Sequence, residues 1–291
     1  MFKLSVFTDE VSQDLDKALK VAARFKLDGV EIRSVWGRPP QSLTDEDTDK
    51  IRRAVEARDL EVCCIASPFF KCDLDDDAQY RENLDILRRC IKLAQRLGAN
   101  IIRGFTFWNT GRTEEVWDRI LARFVEPVRI IEGEGVFLGI ENEASTSVST
   151  ARRLDRFLRE VNSPRIMAIW DPANEVFADD GERPYPEGYE RVGDRVIHCH
   201  LKDAVREGGP RCVLVGTGIV DWEGQLRAFM RDKFEGYVSL ETHWRPQDLS
   251  EDLLNRPGGE AFSEAGEASS SLCLENLLKI VARIRRQEPA S

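Results

Sequence analysis

Short apolar runs alternate with amphipathic stretches along almost the whole chain. The amphipathic stretches carry apolar residues at helical spacing, whereas the short runs are rich in Val, Ile, Leu and Phe and predict β-strands. The strands are predicted at residues 3–7, 30–32, 61–66, 100–105, 136–140, 166–170, 196–201 and 236–240. The helices are predicted at 12–25, 44–57, 77–97, 113–133, 149–161, 222–231 and 269–286. Repeated alternation of this kind favours a parallel sheet covered by helices, so we expect an α/β protein, a single (β/α)8 TIM barrel spanning residues 1–291.

Helix-end signals support several of these boundaries. Ser12 is placed to cap the first helix, and Thr44 begins a capping-box variant with an acidic first turn. Gly98 fits the left-handed position that ends a helix. Pro127 lies inside the helix predicted at 113–133 and predicts a kink there.

One segment breaks the strand–helix rhythm. Residues 243–268, between the last strand and the last helix, are rich in Pro, Gly, Glu and Ser. This is long for a strand-to-helix loop, and topology places it on the mouth side of a barrel. Two interpretations stand: a segment that covers substrate or contacts a subunit, and a surface insertion.

Composition narrows the possible partners and compartment. An apolar fraction of 42% supports a sizeable core, and a net charge of −10 argues against a nucleic-acid partner. The seven Cys residues include no CxxC pair, which indicates reduced thiols rather than a cysteine zinc site. The first residues do not resemble a signal peptide, and no apolar run approaches the roughly 18 residues that span a bilayer. We therefore expect a cytoplasmic protein without a membrane partner.

Four polar residues share one position relative to the predicted strands. Glu141, Asp171, His200 and Glu241 lie at or just past the C-terminal ends of four consecutive apolar runs. In a (β/α)8 barrel these ends converge on one mouth, where active sites lie. Three carboxylates and one imidazole make an oxygen-rich site for a divalent cation.

Several neighbours of these four are candidates for contact with substrate. Glu143 lies two residues after Glu141 and His198 two before His200, so each shares a face of extended chain with its neighbour. Lys202 also shares the face of His200, and it either polarises a substrate oxygen or pairs with Asp203.

Other candidates follow different strands. Arg211, in a Gly/Pro loop, either contacts a substrate hydroxyl or carboxylate or pairs with Glu207. Glu31 is a candidate polar wall residue, and Asp9 or Glu10 fits a helix entry. Five aromatic residues follow strands two to four and either line a sugar site or pack loops: Trp36, Phe69, Phe105, Phe107 and Trp108.

The strand-end segments carry a family resemblance. The sequence reads IENE at 140–143, WDPAN at 170–174, HCHLKD at 198–203 and SLETHW at 239–244. These segments resemble the xylose-isomerase-like barrel family, and within it the sugar isomerase/epimerase branch. The resemblance covers most of the chain.

The resemblance implies one divalent metal ion, with Mn, Mg or Co expected and Zn allowed. The ligands that match are Glu141, Asp171, His200 and Glu241. His198 matches a supporting position, and Asn174 matches a substrate-facing position that is often His in the family. A sugar or polyol substrate and a homo-oligomer are also implied.

The chemistry that suits such a site is proton transfer next to a carbonyl. A divalent metal stabilises the resulting enediolate, and carboxylates remove and return the proton. Glu141 and Glu241 are the predicted acid–base pair, with Glu143 as the alternative to Glu141, and Lys202 as a catalytic cation. We expect a sugar, sugar-phosphate or polyol isomerase or epimerase. The alternatives are an inosose-dehydratase-like lyase and a non-catalytic sugar-binding barrel; with only three His residues, a multinuclear zinc endonuclease is disfavoured.

Overall fold

The computed structural model describes residues 1–246 and 259–287. Eight parallel strands close into a barrel in which each strand pairs with its sequence neighbours and the last pairs with the first. The barrel strands are β1 (Lys3–Phe7), β2 (Gly29–Ile32), β3 (Glu61–Phe69), β4 (Ile101–Gly104), β5 (Phe137–Glu141), β6 (Ile166–Trp170), β7 (Val196–Leu201) and β10 (Tyr237–Leu240). The predicted single α/β barrel is confirmed.

Helices surround the barrel. They are α1 (Thr8–Val11), α2 (Leu15–Arg24), α3 (Asp45–Glu56), α4 (Asp77–Leu97), α5 (Thr113–Ile131), α6 (Ala151–Val161), α7 (Asn174–Phe177), α8 (Tyr189–Val192), α9 (Trp222–Arg231), α10 (Gly259–Ser263) and α11 (Gly266–Gln287). Their apolar faces bury against the outside of the barrel, where Leu19, Leu87 and Leu154 are fully inaccessible to solvent. This close packing of the helices on the barrel therefore holds the C-terminal ends of the strands in fixed positions.

The interior of the barrel is tightly filled. A Cβ atom added at Gly139 in β5 would lie 2.5 Å from Ile169 Cγ1. Cys63, Cys64, Ile101 and Ile169 form a small apolar cluster. Only the absence of a side chain at Gly139 admits Ile169 to this space.

Two of the predicted helix ends are confirmed and one is wrong. Thr44 and Asp47 form a reciprocal capping box, and α4 ends at Gly98 with a φ of 74°. The first long helix, however, is capped by Asp14, whose side chain accepts hydrogen bonds from the backbone of Asp16 and Lys17. Ser12 instead follows α1, an unpredicted turn of helix directly after β1.

The region after β7 contains an unpredicted antiparallel hairpin. Its strands are β8 (Asp203–Val205) and β9 (Arg211–Val213). Three-residue strands are too short to show a clear alternating pattern. Asp203 holds the adjoining loop, because its carboxylate accepts hydrogen bonds from the backbone of Gly216 and Gly218 at 2.9 Å each.

The predicted 243–268 insertion is described only at its two ends, since residues 247–258 lie outside the described residues. The last helix begins at Gly266, three residues before its predicted start. The Arg245 guanidinium joins the two ends to α1 by donating to the carbonyl oxygens of Glu10 and Phe262, at 3.2 and 3.1 Å. Within the described ranges, no helix combines the length and apolar character needed to cross a membrane.

Candidate metal centre

The four predicted ligands converge at the mouth of the barrel. Glu141 ends β5, Asp171 follows β6, His200 lies in β7 and Glu241 follows β10. One ligand atom from each lies within 4.8 Å of the others, and no residue of the four is more than 2% exposed. Parallel strands that end at one level bring together residues that are up to 100 positions apart in sequence.

The His200 ring lies between two carboxylates. Its Nδ1 is 3.0 Å from Glu141 Oε1, and its Nε2 is 3.2 Å from Glu31 Oε1. Burial alone would lower the pKa of His200, but the two carboxylates outweigh burial and raise it. Nδ1 therefore faces the ligand cluster while Nε2 is available to donate to Glu31, an arrangement common in histidines that bind metals.

Glu31 contacts both predicted histidines. Its second oxygen, Oε2, lies 2.8 Å from His198 Nε2. Burial favours the neutral acid, but the two imidazoles lower the pKa of Glu31 well below its ordinary value. Glu31 and His198 thus form a layer beneath the candidate ligands, and no substrate contact is needed to explain their positions.

Lys202 lies between two of the candidate ligands. Its Nζ is 2.6 Å from Asp171 Oδ2 and 2.8 Å from Glu241 Oε2. Burial opposes the charged form, yet these carboxylates raise the pKa of Lys202 well above its ordinary value. Lys202 therefore carries a proton close to any ligand that binds at these carboxylates. Its predicted partner, Asp203, does not pair with it and instead holds the loop that adjoins the hairpin.

Two buried arginines, neither of them predicted from the sequence, complete the centre. Arg33 donates to Glu241 Oε1 at 2.8 Å and to Asp9 and Glu10 at 2.9 Å each. Arg103, in β4, donates to Glu141 Oε2 at 3.3 Å. For Arg103 the sequence did contain a signal, because a charged residue inside the apolar run of β4 indicates a buried charge with a partner.

Asp9 and Glu10 lie in the first turn of α1, which fits the predicted helix entry, but both are also fully buried. Glu10 Oε1 lies 3.1 Å from His243 Nδ1, which is itself 3.7 Å from Glu241 Oε1. Burial lowers the pKa of His243 to about 4, despite these carboxylates. Glu10 in α1 and His243 after β10 are therefore in contact beside the candidate ligand Glu241.

Other predicted site residues lie around this centre. The Asn174 amide donates to Asn142 O at 2.7 Å and to Glu141 Oε1 at 3.4 Å. Glu143 Oε2 lies 3.3 Å from Lys71 Nζ, a residue that the sequence analysis did not select. Lys71 Nζ in turn lies 4.5 Å from the centre of the Phe105 ring and 5.9 Å from that of Trp108.

Arg211 and two of the five predicted aromatic residues lie elsewhere. Arg211 is exposed on β9 and donates to the carbonyl of Glu207, in its own hairpin, at 2.7 Å. Phe69 and Phe107 each lie within stacking distance of Phe70 in the core. Packing, rather than contact with a ligand, accounts for these two rings.

The residues of the centre fit a divalent cation. Among the described residues, Asp171 Oδ2 is buried and accepts no well-formed hydrogen bond, although Lys202 Nζ is near it. Three carboxylates and one imidazole suit Mn, Mg or Co, and the imidazole also suits Zn.

Fold and site together define a parallel β/α barrel with a candidate metal centre at its C-terminal mouth. The chain belongs to the xylose isomerase-like TIM barrel family, whose sequence model matches residues 19–265. The predicted resemblance is confirmed. A search among curated proteins finds no match to this sequence.

Solved structures that share this fold include the following three. The IOLI protein with a bound zinc atom is 18% identical, with 97% of this chain and 99% of that chain covered and a TM-score of 0.74. D-Allulose 3-epimerase from Methylomonas sp. is 16% identical, with 96% and 98% covered and a TM-score of 0.73. The probable 3-DHS dehydratase AsbF from Bacillus anthracis is 17% identical, with 91% and 98% covered and a TM-score of 0.70. At these identities the similarity establishes the fold alone.

Proposed function

We propose that this protein is a divalent-metal-dependent isomerase or epimerase acting on a sugar or polyol by proton transfer next to a carbonyl. The observation that carries the proposal is the convergence of Glu141, Asp171, His200 and Glu241 within 4.8 Å at the barrel mouth. The family assignment and the epimerase among its structural neighbours support it.

The metal is proposed to be held by these four residues. A bound divalent ion supplies the Lewis acidity that makes a proton next to a carbonyl removable. The neighbouring side chains keep two of the four ligands, Glu141 and Glu241, in the ionised form that a metal ion requires. Burial favours neutral acids, but Lys202 and Arg33 lower the pKa of Glu241, and His200 and Arg103 lower the pKa of Glu141.

The proton carriers are proposed from the same set. Glu141 and Glu241 are ionised, which is the form that accepts a proton, and Glu143 is the alternative to Glu141. Lys202 holds a proton on Nζ beside Asp171 and Glu241, where it donates to a developing oxyanion. Asn174 and His198 hold Glu141 and Glu31 in place.

A dehydratase is the second candidate, and Lys202 is the observation that favours it. An ammonium group held by two ligand carboxylates is placed to protonate a departing hydroxyl after the first proton is removed. One structural neighbour is described as a probable dehydratase. The third candidate is a non-catalytic barrel, which would bind a sugar in the same pocket without converting it.

One isotope experiment separates these candidates. Protein loaded with Mn2+ is incubated in D2O with ketoses, their phosphates and inososes, and products are followed by mass spectrometry and NMR. An isomerase or epimerase incorporates deuterium at the carbon next to the carbonyl, whereas a dehydratase also releases water.

Glu241→Gln is expected to abolish the incorporation. Its matched control is Glu61→Gln, which removes an exposed carboxylate at the opposite end of the barrel. Absence of deuterium incorporation and of water loss across the panel would reject the enzyme proposal and favour the binding protein.

A further inference from the structure

The backbone of Asp171 is bound by the side chain of Asn142 at the end of the β5–β6 strand pair. The parallel ladder between these strands ends at the pair Glu141 and Ile169. One residue beyond β5, Asn142 Oδ1 accepts a hydrogen bond from the Asp171 N–H, and Asn142 Nδ2 donates to the Asp171 carbonyl oxygen, at 2.9 Å each. A side-chain amide thus continues the ladder where the regular pairing of the strands stops.

The carboxylate of Asp171 is oriented by the turn that follows β6. Its Oδ1 accepts hydrogen bonds from the backbone N–H groups of Ala173 and Asn174, at 3.0 and 3.3 Å. Its Oδ2 lies on the side of Glu241, since Lys202 Nζ is 2.6 Å from Asp171 Oδ2 and 2.8 Å from Glu241 Oε2. Because two backbone groups engage Oδ1, Oδ2 is the oxygen that Asp171 offers to a cation.

Asn174 joins Asn142 and Asp171 into one network. Its Nδ2 donates to the Asn142 carbonyl oxygen at 2.7 Å, while its own backbone N–H donates to Asp171 Oδ1. All three residues are buried. Loss of the Asn142 amide would therefore leave the N–H and carbonyl groups of Asp171 shielded from water and without these partners, which is costly.

The position of Asn142 in the chain relates two candidate ligands to each other. Asn142 directly follows Glu141, whose backbone is fixed by the last pair of the β5–β6 ladder. Its side chain binds the backbone of Asp171, which directly follows β6. Asn142 therefore sets the distance between the points at which the Glu141 and Asp171 side chains leave the backbone.

We propose that Asn142 is a positioning residue of the metal centre, which fixes the Asp171 backbone relative to Glu141 so that Asp171 presents Oδ2 before the ion binds. The proposal rests on the proposed metal centre and adds to it a residue outside the ligand set. Ligands that are already in place need not be ordered by the ion, so more of the binding energy appears as affinity.

The first test uses metal-free protein and follows exchange of the Asp171 amide hydrogen by NMR. In the wild type this hydrogen is expected to exchange at least about 100-fold more slowly than in an unstructured peptide, because Asn142 Oδ1 accepts it. In Asn142→Ala and Asn142→Leu its exchange is expected to be about 10-fold faster or more. Leu is close to Asn in shape, so it removes the hydrogen bonds without leaving a cavity. An unprotected Asp171 amide in the wild type would overturn the proposal even if neither variant folds.

The second test measures Mn2+ affinity by calorimetry in the same three proteins. Both Asn142 variants are expected to bind Mn2+ about 10- to 100-fold more weakly than the wild type. The visible absorption spectrum of the Co2+-loaded protein is expected to change as well, because it reports the geometry of the ligands.

The matched control is Asn83→Ala. Asn83 is a second buried Asn, in α4, which accepts a hydrogen bond from the Phe70 N–H at 2.7 Å and donates to the Gln79 carbonyl oxygen at 2.9 Å. Its loss is expected to lower the free energy of unfolding but to change neither the Mn2+ affinity nor the Co2+ spectrum.

The outcomes separate this inference from the proposed function. Equal Mn2+ affinity in the wild type and both Asn142 variants would overturn the inference and leave the metal centre in place. Equal losses of affinity in the Asn142 and Asn83 variants would also overturn it, because the contact would then act through stability alone. A wild type that binds no Mn2+ would reject the metal centre and this inference together.

Discussion

Glu31 Oε1 lies 3.2 Å from His200 Nε2, whereas the other ring nitrogen, Nδ1, faces the candidate ligand Glu141. This contact fixes both the orientation of the imidazole and the nitrogen that carries its proton when Nδ1 binds a metal. The same carboxylate bonds His198 through its second oxygen. A residue from β2 therefore prepares a ligand from β7, although it is not itself in the candidate ligand set.

Replacing Glu31 by Gln tests this relationship. The amide removes the charge that orients and polarises His200, so affinity for Mn2+ is expected to fall about 10- to 100-fold, measured by calorimetry. Glu61→Gln serves as the control, because Glu61 is exposed and pairs with Lys3 at the other end of the barrel. Unchanged metal affinity in Glu31→Gln would mean that His200 is held without this contact.

Lys202→Met separates proton transfer from metal binding. Loss of the ammonium removes a positive charge next to Asp171 and Glu241, so Mn2+ affinity is expected to stay equal or rise. Deuterium exchange into substrate is expected to fall by about 100- to 10,000-fold, since the proton donor is gone. Exchange at the wild-type rate would remove Lys202 from the chemistry; Lys50→Met, on the surface, is the control.

The capping residue of α2 gives a test of the fold alone. Asp14 accepts two backbone hydrogen bonds at the start of this helix, so Asp14→Ala is expected to lower the free energy of unfolding by about 1 kcal/mol. Ser12→Ala is expected to cost less than about 0.5 kcal/mol. Urea unfolding measures both, and a larger loss in Ser12→Ala would restore the cap that the sequence predicted.

Glu175 predicts a specific dependence of stability on pH. Its buried side chain accepts hydrogen bonds from the backbone of Ala151 and Glu182, yet burial raises its pKa to about 7 from an ordinary value of 4.5. Between these two pH values the folded chain binds a proton that the unfolded chain has released. The stability that the folded chain gains by keeping Glu175 protonated is therefore complete below pH 4.5 and is lost as the pH rises through 7.

The measurement compares wild type with Glu175→Gln, which cannot titrate. The difference in free energy of unfolding, wild type minus variant, is expected to fall by roughly 2 kcal/mol between pH 5 and pH 8. Glu190→Gln, at an exposed position in the next helix, is the matched control. A constant difference in Glu175→Gln would mean that Glu175 is ionised throughout this range.

The sequence predicted the barrel and the candidate ligands because both follow from local patterns. Each strand of the barrel is a short apolar run, and the topology then fixes where its C-terminal end lies. Glu141, Asp171, His200 and Glu241 were accessible to this argument because each directly ends or follows such a run. The homo-oligomer and the cytoplasmic location stay predictions.

The groups that were missed depend on contacts across the barrel. Arg33 and Glu241 pair over a sequence separation of 208, and the pattern around Arg33 gives no sign of that partner. Lys71 follows β3, where a lysine is ordinarily a surface residue. A buried cation is understandable only with the carboxylates that surround it, and these come from other strands.

The most direct test of the metal centre is titration of Mn2+ into chelator-treated protein, with wild type beside Glu241→Gln. We predict one ion per chain in the wild type, and in the variant a loss of affinity greater than the roughly 10- to 100-fold expected for a supporting residue such as Glu31. Absence of binding in the wild type, or equal affinity in the two proteins, would contradict the account and leave the carboxylates at the barrel mouth as a network balanced by arginine and lysine alone.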